Sequence, residues 1–135
     1  MLKNDEKDFD GWMRLKRKLH NIGKYRFIHE GDVWWYAAGE NIRTEINGKS
    51  KLFSRPILVI KKFGRHSFWG VPLTTQIHKG SWYVRFAFQG KPVCAAVIQL
   101  RNVDVARLYE RIGQVPESDL KSVKDGVIDL LSENV

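Results

Sequence analysis

Ser54-Arg55-Pro56-Ile57-Leu58-Val59-Ile60 is the stretch that decides the fold. Four consecutive apolar residues, three of them β-branched, read as a strand buried on both faces. Proline and arginine stand just before it, where a strand begins. Working outward, the expected strands are Asp32–Ala37, Pro56–Lys62, Ser67–Leu73, Trp82–Phe88 and Val93–Gln99. In the fourth, Trp82, Val84, Phe86 and Phe88 alternate with Tyr83, Arg85 and Ala87, the period of a strand with two distinct faces. Gly64, Gly80 and Gly90 fall between these runs, where turns need permissive backbone. Several short strands with turn signals predict a small barrel. The segment Gly39–Ser54 is long for a connection inside a compact domain, a length more often tied to function than to linkage.

The two ends of the chain read as helical. Phe9, Trp12, Met13, Leu15 and Leu19 approximate a helical spacing within residues 5–22, and Gly23 is a natural stop. Residues 1–24 are therefore expected as an N-terminal helical extension, and 25–135 as the main domain. After Arg101 the period changes again. Asp104 can cap a short helix carrying Val105, Leu108 and Ile112 and ending at Gly113. A final helix is expected from about Pro116 to Leu131, with Leu120, Val123, Val127 and Leu130 on one face. Gly126 weakens it by roughly 1 kcal/mol relative to alanine. The class is α+β.

Composition narrows the function. The chain has 135 residues, 43% of them apolar, enough for one domain with its own core. Its single cysteine, Cys94, can form no internal disulfide and no thiolate zinc site, and reads as an inert core thiol. That usage fits a reducing cytoplasm. No stretch is apolar enough to span a membrane, and the N-terminus lacks a signal-peptide core. Net charge is +8, and the excess is concentrated. Residues 31–100 hold ten Lys/Arg against three Asp/Glu, whereas residues 101–135 hold five against seven. The basic segment also carries most of the aromatics. Phosphates seek cations and bases seek flat rings, so this pattern suits a nucleic-acid surface; it also suits a basic protein that merely stays soluble.

Several chemistries are missing. There is no Gly-rich phosphate loop with its lysine, no serine in a nucleophile elbow, and no metal-ligand spacing among His20, His29, His66 and His78. What remains suits RNA, whose ribose brings its own nucleophile. A protein need only align the 2′-hydroxyl, stabilise charge on the phosphorus oxygens and help protons move. Arginine is the right cation, being planar, always charged and bidentate toward phosphate. A threonine hydroxyl can donate to the same group.

The ordered pieces resemble a known family. They are Gly31-Asp32-Val33, Glu45, Arg55-Pro56-Ile57-Leu58-Val59, Pro72-Leu73-Thr74-Thr75-Gln76, Gln99-Leu100-Arg101-Asn102-Val103-Asp104 and Arg111-Ile112-Gly113. Their order is that of MazF/PemK-type toxins, over about residues 29 to 131. The resemblance implies a small SH3-like barrel with a C-terminal helix, acting as a homodimer. It also implies a metal-independent, cofactor-free endoribonuclease on single-stranded mRNA, leaving 2′,3′-cyclic phosphate and 5′-hydroxyl ends and neutralised by an antitoxin. By position, Arg55 looks like the catalytic arginine, Thr74 like its partner and Glu45 like the loop acid. Trp34, Thr75, Gln76, His78 and Lys79 are the expected RNA contacts. An Arg-x-Asp pair of the PemK branch is replaced here by Ala96 and Ile98. The loop between Glu45 and Arg55 is longer than usual, and the N-terminal helix is an addition. Glu45, His78 or water is the expected proton acceptor. A second function stays open: a non-enzymatic binder on the same barrel, on RNA or like the gyrase-poisoning toxin CcdB.

Overall fold

The computed structural model describes residues 27–38 and 54–132. The expected helix within 5–22, and Glu45 in the long loop, lie outside them. Seven strands and one helix follow in order: β1 Asp32–Ala37, β2 Ser54–Phe63, β3 Ser67–Thr74, β4 Tyr83–Phe88, β5 Lys91–Ala96, β6 Arg101–Asp104, β7 Leu108–Gln114 and α1 Glu117–Leu131. The strands form one antiparallel sheet in the order β4-β5-β3-β2-β1-β7, with β6 also paired to β3. No helix among the described residues is long and apolar enough to cross a membrane.

The apolar run of β2 behaves as its sequence demands. Ile57 and Val59 enter one core with Trp34, Tyr36, Phe68, Val103, Val105 and Leu108. Leu58 and Ile60 enter a second core with Val33, Val71, Leu73, Ala95 and Val97. Alternate side chains thus feed opposite faces, and both faces are covered. Helix α1 covers the second face with Leu120, Val123, Val127 and Leu130, the stripe that its spacing predicts. Gly126 lets the helix approach: a Cβ there would lie 2.7 Å from Val84 Cγ2. The intrinsic cost of that glycine is offset by close packing on β4.

Two expectations are corrected. The sheet is not a closed barrel, because its edge strands β4 and β7 share no ladder. Across the gap, Gln89 Nε2 donates to the Ile112 carbonyl at 3.1 Å, and the Phe88 ring packs against Gly113. The short helix expected over 104–113 is a single 3₁₀ turn, Val105–Arg107, followed by β7. Asp104 does cap that turn, its Oδ1 accepting the Ala106 N–H at 2.9 Å. Beyond it, Leu108, Glu110, Arg111, Gly113 and Gln114 pair with β1, with irregularities at Tyr109 and Ile112, and tertiary pairing outweighs the local helical spacing.

Asp32 fixes the start of β1. The side chain is fully buried, yet its carboxylate is satisfied. Oδ2 accepts from the His29 N–H at 2.9 Å and from Trp34 Nε1 at 3.3 Å. Oδ1 accepts from Arg111 Nε and Nη2, both at 3.3 Å, and from Gln114 Nε2 at 3.4 Å. Gly31, at φ +93°, bends the chain into this position, its N–H on the Val59 carbonyl and its carbonyl receiving the Val115 N–H. The Gly31-Asp32-Val33 motif is therefore a structural clasp joining β1 to β7.

Candidate active site

The site forms where β2 and β3 part. Their ladder runs from Phe63↔Ser67 to Ile57↔Pro72 and stops. Pro56 and Pro72 bring no N–H to extend it. The opposite edge of β3 continues two residues further, pairing Leu73 with Ala95 and Thr74 with Cys94. The first residues of β2 meanwhile stay on β1, with Trp35↔Pro56, Tyr36↔Arg55 and Ala37↔Ser54. Between the diverging strands lies a cavity of about 300 Å³, lined by Trp35, Ser54, Arg55, Pro56, Leu73, Thr74 and Thr75. Arg55 stands two residues before Ile57 and Thr74 two beyond Pro72, so pleat parity puts both on the same side.

Arg55 is the unusual group. It is 4% exposed, and its Nε and Nη2 have no hydrogen-bond partner among the described residues. Burial lowers its pKa from the ordinary arginine value, and the facing Tyr36 opposes that shift. The Tyr36 phenol, 2% exposed, is pushed up by burial and drawn back by Arg101, to which it is hydrogen-bonded, and by Arg55 and Arg107. The net shift is upward, so the phenol stays neutral and does not cancel the guanidinium. A buried cation with unmet donors attracts an anion that supplies oxygens in its plane.

Thr74 is held ready beside it. Its Oγ1 accepts the Gln76 N–H at 3.1 Å, a turn within the chain's own backbone. A hydroxyl has one hydrogen to give, and that bond leaves it available. The next residues are clamped from below by Cys94. The His78 N–H donates to Cys94 Sγ at 3.4 Å, and the thiol donates back to the His78 carbonyl at 3.8 Å. The His78 ring stacks on Tyr83, centroids 4.3 Å apart at 14°.

The structure thus brings Arg55, Thr74 and Thr75 to one cavity. Gln76 and Lys79 are exposed and His78 half-buried on the segment leading away from it. Trp34, expected as an RNA contact, is 6% exposed and sits in the core with its Nε1 on Asp32; its neighbour Trp35 lines the cavity instead. Strand alternation is the signal that separates the two tryptophans. Ser54 and Tyr36 are the site residues that the sequence reading missed. Among the described residues, no three His, Cys, Asp or Glu side chains are grouped to hold a metal ion.

Comparison with known proteins decides the family. The sequence profile of the PemK-like, MazF-like toxins of type II toxin–antitoxin systems matches residues 29–131. The chain belongs to that family. Solved structures share its fold. An endoribonuclease in complex with its cognate antitoxin, from a mycobacterial species, superposes with a TM-score of 0.62 at 14% identity, over 78% of this chain and 96% of that one. MazF from Deinococcus radiodurans gives 0.57 at 18% identity, over 79% and 99%. The MazE–MazF complex of the same organism gives 0.56 at 16%, over 78% and 97%. No curated protein matches the sequence.

Proposed function

We propose that this MazF-like toxin is a metal-independent endoribonuclease that cuts single-stranded RNA at the Arg55–Thr74 cavity. The observation that carries the reading is the buried Arg55 guanidinium, with Nε and Nη2 unpartnered among the described residues at a cavity it shares with Thr74. The ribose 2′-oxygen attacks phosphorus and the bond from phosphorus to the 5′-oxygen breaks. The 2′-hydroxyl proton leaves to a base, and the departing 5′-oxygen takes up a proton. The products are a 2′,3′-cyclic phosphate and a 5′-hydroxyl. Arg55 stabilises the charge that builds on the phosphorane oxygens, where a preorganised donor has its largest effect. Thr74 donates to the same group. Arg55 stays protonated and is no base; the acceptor is Glu45, His78 or water.

Single strands fit because bases must be unstacked to be read. The working unit is a homodimer in the cytoplasm, neutralised by a cognate antitoxin. Ile77, Trp82 and Ile98 support a protein partner near the site. Each is about half exposed, and all lie on segments joined to the cavity lip, with the Ile98 N–H on the Trp82 carbonyl. Incubating the protein with a long RNA in EDTA and mapping the ends tests the activity. Cyclic-phosphate ends that vanish in Arg55→Ala are expected. Intact RNA held in a tight complex would instead establish a binder without catalysis.

A further inference from the structure

The β2–β3 hairpin carries exposed aromatic rings far from the cavity. Phe63 is 39% exposed and Trp69 40%. Their rings meet edge to face, 5.0 Å between centroids at 62°. Lys61 is the cross-strand partner of Trp69, and its Nζ lies 5.8 Å from the Phe63 centroid. The three side chains make one surface: a cation over one ring and a second ring beside it. Lys62 and Arg65 are exposed on the same hairpin. The acids nearby are already engaged. Asp104, paired to Ser67, caps the Ala106 N–H, and Glu30 is bound by Lys124 Nζ and the Lys62 N–H. The hairpin therefore presents flat rings in a basic surround.

We propose that Lys61, Phe63 and Trp69 form a second nucleic-acid contact, a stacking platform for a base of the same single-stranded RNA beyond the cavity. This rests on the RNA-cleaving reading above. Exposed rings alone would fit many partners. Rings flanked by lysines and an arginine fit a polyanion whose units carry π-faces, because stacking and phosphate attraction then act together. Eight residues separate Arg55 from Phe63 along β2, roughly 26 Å of extended chain. A short oligonucleotide filling the cavity does not reach the platform, whereas a longer strand does.

Length dependence is the test. The probes are 2′-O-methyl single strands of about five and about 20 nucleotides, which lack the attacking hydroxyl and stay intact. Affinity is read by fluorescence anisotropy on the full chain. Trp69→Ala is expected to weaken the longer strand about ten-fold and leave the shorter one unchanged. Lys61→Gln, which keeps the hairpin's packing, is expected to reduce the slope of log K against log salt by about 0.7. Unchanged affinity for the longer strand in both variants overturns the platform. So does equal weakening of both probes, or loss of a dimer in sedimentation with RNA affinity retained, which would make this face a protein interface. Should the wild type fail to cut unmodified RNA yet bind with this length dependence, the nuclease reading falls and the platform stands.

Discussion

Thr74 and Cys94 face each other directly across β3 and β5, at the last pair of that ladder. Thr74 lines the cavity, and the Cys94 thiol is bonded to the backbone of His78. One register position thus fixes both the donor and the lip of the site. Cys94 is free and fully buried, as its apolar run predicts, and its sulfur also bonds the His78 backbone.

Removing the thiol therefore loosens the lip while leaving the cores intact. Cys94→Ala is expected to lower kcat/KM on RNA on the order of ten-fold, since a small misplacement of aligned groups is costly. Cys94→Ser keeps a donor and an acceptor at nearly the same place and restores most of the loss. Steady-state kinetics of the two variants, with circular dichroism as a check on folding, give the comparison. Equal activity of Cys94→Ala and the parent would show that His78 needs no clamp.

Thr74 Oγ1 accepts from the Gln76 N–H, and in the proposed reaction the same hydroxyl also donates to the phosphate. Thr74→Ser keeps both and should retain cleavage within a few-fold. Thr74→Val keeps the shape but loses both, and cleavage should fall about 100-fold, the usual effect of deleting one transition-state donor. Single-turnover rates separate this from weaker binding. Parental single-turnover rates in Thr74→Val would take the hydroxyl out of the chemistry.

Arg55 is expected to destabilise the fold that holds it. A buried charge with unmet donors opposes folding, and replacing it by an apolar side chain of similar size relieves that cost. Arg55→Leu is expected to unfold at higher urea, with a gain of about 1–3 kcal/mol, while cleavage is abolished. Arg55→Lys keeps a charge but not the planar fork, and should also lose cleavage. A destabilised Arg55→Leu would mean that the guanidinium is already well paired in the free protein.

Five of the seven strands were readable because period and apolar run length are local, whereas β6 and β7 were not. β1 occurs over the expected residues, and α1 begins within one residue of its expectation. β2 begins two residues earlier than expected, because its pairing with β1 carries through Pro56 to Ser54. The site was readable as motif order, and the geometry that joins its parts was not. That Arg55 Nε and Nη2 are buried without a partner among the described residues depends on strands far away in the chain. That Asp32 is a clasp depends on Arg111, 79 residues on. Such long-range pairings leave no period in the sequence.

Asp32 gives a stability test independent of catalysis. Its carboxylate gathers donors from β1 and β7, and removing one side of a buried network leaves the rest unmet. Asp32→Ala is expected to cost about 3 kcal/mol, measured by urea unfolding. Asp32 lies four residues from Tyr36 along β1, away from the cavity, so cleavage per folded molecule should hold. A large loss of kcat in fully folded Asp32→Ala would bring the clasp into the reaction.

Tyr36 makes stability fall at high pH. Burial raises its folded pKa above the unfolded value of about 10, despite the nearby arginines. A raised folded pKa means that the folded state holds the proton more tightly. The resulting stability is fully present below pH of about 10 and is lost as pH rises through the folded value. Urea midpoints measured from neutral to strongly alkaline pH should therefore fall more steeply for the parent than for Tyr36→Phe. Near neutral pH the order reverses, because Phe leaves Arg101 without its phenol acceptor, at a cost of about 1 kcal/mol. The two curves should converge as pH climbs. Parallel curves would mean that the phenol titrates as freely in the folded protein as in the unfolded chain.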